Sequence, residues 1–226
     1  GLAWSVDLDD EVTLEATPVA VNGVLYFTGG TSSVYAVDGG SGKLLWKHDP
    51  QLWKVNPAAA ALNFRANRGA AYADGRVFAA ALDGHLMALE AKTGKLLWST
   101  QTLPGNTRQS TNGAPRVFNG KVIIGNGGAD FGGVRGYVTA YDQKTGKQEW
   151  RFYVTPGRPE ENAGDPAMEA AARTWGSGEY WKTGTGGTVW NGITFDEELN
   201  RIYIGTGNGG PINAAVRDPG STGDNL

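Results

Sequence analysis

The sequence predicts an all-β fold, a β-propeller built from four-stranded blades, and three observations predict it. The first is a repeat of 52 residues in which VYAVDGGSGKLLW (34–46), LMALEAKTGKLLW (86–98) and VTAYDQKTGKQEW (138–150) each end in tryptophan. The second is an Asn-Gly or Asp-Gly pair at 22–23, 74–75 and 119–120, flanked by apolar residues. The third is a content of 35 Gly and 8 Trp in 226 residues, which is typical of many tight turns and large aromatic anchors.

Each tryptophan-ended segment predicts a hairpin, because alternating apolar residues lead through an acidic residue and a Gly-Lys pair into a second strand. The glycines at 42, 94 and 146 supply the positive φ that such a turn needs. With the hairpin that precedes it, each unit has four strands. A unit of that size buries its faces only by stacking, and radial stacking of such units gives a propeller. The repeated tryptophan is therefore predicted to be a packing anchor between blades.

The last part of the chain predicts an insertion and an incomplete blade. The insertion, 152–187, contains the helix-compatible run 166–174 with Asp165 as its N-cap and Pro166 at its first position. A fourth unit, 189–226, has an inner hairpin but no second Gly-Lys turn and no closing tryptophan. A propeller needs at least four blades, so we expect 1–226 to be part of a longer protein whose remaining blades complete it.

Composition excludes several functions. The net charge is -3, which gives no electrostatic basis for binding nucleic acid. The chain has no Cys, so it forms no disulfide or thiolate metal site of its own. No apolar run approaches the roughly 20 residues of a membrane span, and the first ten residues lack the features of a secretion signal. The two histidines, His48 and His85, are predicted to be solvated, in a loop and a turn.

Polar residues at the ends of the predicted inner strands are the candidate site. Glu15, Arg68, Asp130 and Asn208 lie far apart in sequence, but inner strands of a propeller converge on its axis. One cation and several hard oxygen ligands suit an anionic ligand together with Ca²⁺. The alternative from the residues alone is that these side chains only satisfy backbone groups at turns.

The segments EATPVAVNGVLYF, NRGAAYADGRVF, GAPRVFNGKVIIGNGGAD, GGTVW and LNRIYIGTGNGGP resemble the amino-terminal part of pyrroloquinoline quinone (PQQ)-dependent alcohol dehydrogenases. The resemblance runs nearly end to end. It implies an eight-bladed, periplasmic propeller with PQQ beside Ca²⁺ on the axis. Such an enzyme oxidises a small alcohol to an aldehyde and passes electrons to cytochrome c or another acceptor.

The resemblance also implies roles for individual residues. Glu15 and Thr188 would hydrogen-bond PQQ, Arg68 would pair with its carboxylate or carbonyl oxygens, and Trp190 would lie flat against its ring. Asn112 belongs to the cofactor-binding set, as do Gly128 and Ala129, which would let the backbone approach the cofactor closely. Asp130 and Asn208 would be ligands of Ca²⁺, or of a lanthanide as in some relatives.

This sequence departs from the family pattern at several positions. Leu62 and Asn63 replace two adjacent cysteines, Asp130 replaces a glutamate, and Asn112 replaces a common threonine. Pro211-Ile212-Asn213 stands where the family has Pro-Trp-Asn. The family's catalytic aspartate falls beyond residue 226, so no catalytic residue is assigned within this chain.

Two alternative functions remain open at this point. One is a non-catalytic scaffold similar to the outer-membrane assembly lipoproteins, which share the tryptophan hairpins but bind partner proteins. The other is a degenerate homologue without activity, an interpretation that the Leu62-Asn63 pair favours. The joint presence of Glu15, Arg68, Asp130, Trp190 and Asn208 favours the cofactor-binding enzyme over both.

Overall fold

The computed structural model describes residues 1–60, 65–104, 109–129, 133–175, 179–182, 184–217 and 220. Its strands form meandering sheets in which each strand pairs with its neighbour in sequence. The first sheet contains β1 (Val19–Val21), β2 (Val24–Thr28), β3 (Val34–Asp38) and β4 (Leu44–His48). The second contains β5 (Ala70–Ala73), β6 (Arg76–Ala80), β7 (His85–Glu90) and β8 (Leu96–Gln101).

The third sheet contains β9 (Arg116–Phe118), β10 (Lys121–Gly125), β11 (Tyr137–Asp142) and β12 (Gln148–Tyr153). A two-stranded sheet follows, with β13 (Ile193–Asp196) paired antiparallel to β14 (Arg201–Ile204). Three successive four-stranded meanders and part of a fourth confirm the prediction of a partial β-propeller.

Short helices lie between the sheets. They are α1 (Leu52–Val55), α2 (Pro57–Ala60), α3 (Pro159–Asn162), α4 (Pro166–Ala172) and α5 (Ala214–Arg217), with a 3₁₀ turn at Tyr180–Lys182. The Asp165 carboxylate caps α4, as predicted, by accepting from the amides of Ala167 and Met168. The helix ends two residues before the predicted limit. Within the described residues, none of these helices has the length and apolar content needed to cross a bilayer.

The Asx-Gly pairs form the turns that the sequence predicts. Asn22 and Gly23 have φ values of 50° and 81°, the left-handed conformation that joins two strands in a two-residue hairpin. In the second kind of turn, the Ser41 hydroxyl and amide donate to the Asp38 carboxylate. These hydrogen bonds hold the pKa of the Asp38 carboxyl below its usual value, which explains why an acidic residue begins this turn.

The repeated tryptophans connect successive repeats. The indole N–H of Trp46 donates to the carbonyl of Ala91 at 2.9 Å, and that of Trp98 donates to Gln143 at 3.2 Å. Trp4 donates to Gly39 in the same way, at 2.9 Å. Trp4 therefore belongs to the set, although the sequence comparison did not include it.

Apolar faces of adjacent sheets form two core clusters. The cluster between the first and second sheets includes Tyr26, Val34, Ala36, Val77, Ala79, Met87 and Leu89, all buried. The cluster of Phe78, Leu86, Val122, Ile124 and Tyr141 follows it, with Trp98 packed against its edge. These stacked faces bury the apolar alternation from which the strands were predicted.

The chain divides into two compact units. The first comprises Gly1–Gly105, Ser110–Ile124 and Ala140–Glu149, and the second comprises Asn106–Gln109, Gly125–Thr139 and Trp150–Leu226. Residues of the candidate site occur in both units, and the geometry of each unit is given by itself.

Candidate functional site

In the first unit, the entries of the inner strands lie side by side, and this brings Glu15, Arg68 and Asn112 together. Thr17 and Gly69 form a parallel bridge, and the Arg68 amide donates to the Asn112 carbonyl at 2.9 Å. A side chain at Gly69 would be strained, because its φ is 127° and a Cβ would lie 3.2 Å from the Thr17 carbonyl oxygen. Close backbone packing thus sets where Arg68 projects.

Arg68 and Glu15 form a long ion pair. The distance from Nη2 of Arg68 to Oε2 of Glu15 is 3.6 Å, and the side chains are 31% and 45% exposed. A pair of this length and exposure adds little to stability. A planar guanidinium beside a carboxylate can, however, receive a carboxylate-bearing ligand in bidentate geometry while Glu15 accepts from a donor on the same ligand.

Asn112 carries a buried acceptor. The residue is 8% exposed, and its Oδ1 is fully buried without a hydrogen bond from any described residue. Leaving a buried acceptor without a donor costs about 1–3 kcal/mol. This atom therefore calls for a donor from outside the described chain, such as a ligand N–H or O–H group.

Sequence reasoning missed one residue in this region, Asn67. Glu15, Asn67 and Asn112 each stand seven residues before the first residue of an Asx-Gly turn. Asn67 is 1% exposed, whereas the Glu15 side chain is 45% exposed. The common spacing is the signal that could have identified Asn67 as a member of the same layer.

In the second unit, Thr188, Trp190 and Asn208 lie on two adjacent backbone segments. The Gly207 amide donates to the Thr188 carbonyl at 2.8 Å, and the Gly187 amide donates to the Asn208 carbonyl at 2.9 Å. Thr188 is 2% exposed, whereas Trp190 is 36% exposed. Trp190 thus presents part of a large aromatic surface that a planar ligand can cover.

Gly207 keeps this part of the second unit narrow. A Cβ at Gly207 would lie 2.9 Å from Nε1 of Trp190 and 3.2 Å from Oγ1 of Thr188. Any side chain there would displace the indole or the hydroxyl. The glycine therefore fixes the positions of both predicted cofactor-binding side chains.

The loop that carries Gly128 and Ala129 is held by Asn126. This buried amide donates to the carbonyl of Arg135 at 3.0 Å and accepts from the Tyr137 amide at 3.0 Å. Gly128 has a φ of 103°, and Ala129 is 7% exposed. The structure thus places both residues on a tightly tethered loop, within the described part that ends at Ala129.

The metal prediction is covered only in part. Asn208 is exposed, and its side-chain amide donates to the carbonyl of Gly209 at 3.1 Å. Asp130 lies outside the described residues, as do Leu62 and Asn63. Among the residues that are described, no group of three or more His, Cys, Asp or Glu side chains could hold a metal ion.

The histidines differ from the prediction of two solvated rings. His85 is partly exposed, but its Nδ1 lies 2.9 Å from Oδ2 of Asp83. His48 is half-buried at the end of β4 and hydrogen-bonds the backbone of Gly94, and burial lowers its pKa. Both rings are structural, and neither approaches a predicted cofactor-binding residue through a reported contact.

Comparison with known proteins decides the family. Residues 3–220 match the model of the PQQ family, described as the glucose/ethanol/alcohol dehydrogenase β-propeller domain. The chain belongs to this family. The family membership and the fold inferred from the sequence are both confirmed.

Among curated relatives of this PQQ-family chain, the quinohemoprotein alcohol dehydrogenase ADH IIB of Pseudomonas putida is 51% identical over 226 residues. The match covers all of this chain and 32% of that protein. The crystal structure of quinohemoprotein alcohol dehydrogenase from Comamonas testosteroni is 47% identical, with a TM-score of 0.91 over the whole chain and 34% of its own. A europium-containing methanol dehydrogenase is 34% identical, with a TM-score of 0.85 over the whole chain and 40% of its own. The chain thus spans about a third of the length of the curated relatives it matches.

Proposed function

We propose that the protein containing this chain is a PQQ-dependent dehydrogenase that oxidises a small alcohol to an aldehyde. The relatives named as alcohol dehydrogenases support this proposal. In the same proposal the enzyme works in the periplasm and passes electrons to cytochrome c or another acceptor. The word quinohemoprotein in the relatives' names supports an acceptor that contains haem.

The observation that carries the proposal is the partly exposed Arg68 guanidinium beside Glu15 in the first unit. PQQ is a planar tricarboxylate, so it needs a cation of this kind. The buried Oδ1 of Asn112 fits the same cofactor, because the pyrrole N–H of PQQ can supply the donor that this oxygen lacks. The residues present in the first unit therefore fit the group.

The residues of this chain would bind and orient PQQ rather than perform the proton transfer. In this proposal Arg68 pairs with the cofactor's oxygens, while Glu15, Asn112 and Thr188 fix its orientation through hydrogen bonds. Trp190 contributes a flat apolar surface, and Gly128 and Ala129 provide backbone without bulky side chains. PQQ, when bound, supplies a two-electron acceptor for the alcohol. The base that takes the alcohol proton is proposed to lie beyond residue 226.

Asp130 and Asn208 are proposed to hold the metal. A carboxylate and an amide carbonyl are oxygen ligands of the kind that Ca²⁺ prefers. A lanthanide would use the same hard ligands, and the europium-containing relative supports keeping both ions in the proposal. The side chain of Asn208 is exposed, so it can turn its oxygen toward an ion.

A degenerate homologue is the second candidate, and the Leu62-Asn63 pair at the usual dicysteine positions favours it. It predicts a folded protein that binds PQQ without turnover, or that does not bind PQQ at all. The two candidates therefore differ in a direct activity measurement.

The test reconstitutes the full-length protein with PQQ and Ca²⁺ and measures alcohol oxidation with a redox dye. We expect PQQ-dependent turnover that falls at least tenfold in Arg68→Lys, because an ammonium group cannot reproduce the bidentate geometry. Arg76→Lys is the matched control, since Arg76 is a partly buried arginine that donates to the Gln143 carbonyl. Equal turnover in both variants would contradict the role of Arg68, and folded protein without turnover would favour the degenerate homologue.

A further inference from the structure

We propose that Asn67 is a positioning residue that holds Arg68 in place for binding PQQ. The inference rests on the proposed function and deepens it. It assigns to a buried amide, absent from the predicted site, the task of fixing the backbone from which the cofactor-binding guanidinium projects.

The Asn67 side chain satisfies all of its hydrogen-bonding groups within the protein. Its Oδ1 accepts from the Thr28 hydroxyl at 2.8 Å and from the Gly69 amide at 3.2 Å. Its Nδ2 donates to the Ala80 carbonyl at 2.8 Å and to the Ser32 hydroxyl at 3.3 Å. An amide has two acceptor sites and two donors, so this arrangement uses every one of them.

These partners come from three places in the first unit. Thr28 ends β2, Ser32 lies in the loop that follows, and Ala80 ends β6. Asn67 therefore connects the first sheet with the second at the point where β5 is about to begin. Thr28 and Ser32 are fully buried, so the network is shielded from competing water.

Arg68 is fixed on both sides by this network. Asn67 precedes it, and the Gly69 amide that follows it donates to the Asn67 side chain. The Arg68 amide itself donates to the Asn112 carbonyl. A guanidinium on a long flexible side chain loses less entropy on binding when its backbone is already fixed. Asn67 thus preorganises Arg68 without touching the ligand.

The test uses the full-length protein and measures the Kd for PQQ of the wild type and of Asn67→Ala. We expect binding to weaken about tenfold, the lower end of the effect typical of residues that orient ligand-binding side chains. Asn162→Ala is the matched control. Asn162 is 2% exposed and has three hydrogen bonds, to the backbone of Gly157 and to the Tyr180 hydroxyl, and no predicted cofactor-binding residue is among its partners.

A double-mutant cycle separates positioning from general destabilisation. If Asn67 acts through Arg68, then Asn67→Ala should not weaken binding further in an Arg68→Ala protein. An Asn67→Ala variant that binds like the wild type would overturn the proposal. So would an effect of Asn67→Ala that persists in full when Arg68 is already absent.

A second readout is independent of the cofactor. Amide hydrogen exchange of the apo protein should become at least tenfold faster at Arg68 and Gly69 in Asn67→Ala, and stay unchanged there in Asn162→Ala. Unchanged exchange at these amides would overturn the proposal even if PQQ binding fell. A wild-type protein that fails to bind PQQ would refute the proposed function instead, whereas the exchange result would still decide whether Asn67 fixes Arg68.

Asn67→Asp tests the same geometry if Asn67→Ala does not fold. A carboxylate keeps the oxygen that accepts from Thr28 but turns a second oxygen toward the Ala80 carbonyl, where only a donor fits. Protonation restores that donor, so PQQ binding relative to the wild type should recover as the pH falls. A ratio of Kd values that does not change with pH would contradict this geometry.

Discussion

At the scale of single residues, His48 and Thr100 perform one task in two successive repeats. They stand 52 residues apart, and the Thr100 hydroxyl donates to the Gly146 carbonyl at 2.8 Å. His48 hydrogen-bonds the backbone of the corresponding glycine, Gly94. One position thus joins each repeat to the turn of the next, with a titratable group in one case only.

This difference predicts a pH dependence of stability. Burial lowers the pKa of His48 below its ordinary value of 6.5, and its hydrogen bond to Gly94 and the charge of Asp49 only partly oppose this. The folded protein therefore binds fewer protons at His48 than the unfolded chain. The resulting contribution is present above about pH 6.5 and is lost as the pH falls through the folded pKa.

We expect His48→Thr to remove this loss, because threonine can donate to Gly94 as Thr100 donates to Gly146. The measurement is urea unfolding of the full-length protein at pH 7.5 and pH 5. The variant should lose less free energy of unfolding over this interval than the wild type does. Identical losses would show that His48 does not titrate in this way.

The candidate site was predictable residue by residue only where a side chain has a chemical signature. Arg68 and Glu15 were predicted together, and the structure pairs them. Thr188 and Trp190 were also predicted, and Gly207 contacts both. Asn67 was not, because a buried amide reveals its role only through partners that lie 13 to 39 residues away.

At the scale of the element, the glycine of the Gly-Lys turn is required twice. Gly94 has a φ of 72°, and a Cβ there would lie 2.6 Å from an indole carbon of Trp46. Gly42 and Gly146 have the same relation to Trp4 and Trp98. The sequence predicted the backbone conformation, but the contact with the tryptophan required the stacking of the sheets to be known.

We expect Gly94→Ala to destabilise the protein by about 2–4 kcal/mol, combining positive-φ strain with overpacking against Trp46. Gly75→Ala is the control, because Gly75 has a φ of 74° but nothing within 4 Å of a Cβ. It should cost only the backbone strain, about 1–2 kcal/mol. Chemical denaturation measures both. Equal losses in the two variants would mean that the tryptophan contact contributes nothing.

Hairpins were predictable as elements because their turns and alternation are local. The Asx-Gly turns and the helix cap at Asp165 follow from a few adjacent residues. Trp4 was missed, because no Gly-Lys pair precedes it and only its hydrogen bond to Gly39 shows its membership. The short helix α1 was missed as well, since four residues give no periodicity and its burial of Leu52 depends on tertiary packing.

At the scale of the whole molecule, the fold could be predicted because the repeat itself specifies stacking. Each sheet leaves apolar faces that only another sheet can cover. In the described part of the fourth sheet, Tyr203 is 51% exposed and the adjoining Leu199 is 57% exposed. We expect residues 1–226 expressed alone to bind a hydrophobic dye more strongly than the full-length protein does, since further blades would cover such surfaces. Equal dye binding per mole would contradict this expectation.

The central claim is that residues of this chain hold PQQ, and a titration of the full-length apo protein with PQQ in the presence of Ca²⁺ tests it most directly. The predicted result is saturable binding that weakens about tenfold or more in Trp190→Ala, because a stacking surface is lost. Trp53→Ala, which removes another exposed tryptophan, one that stacks with Arg65, should bind like the wild type. Absence of saturable binding by the folded protein, or equal binding by the wild type and Trp190→Ala, would contradict the claim.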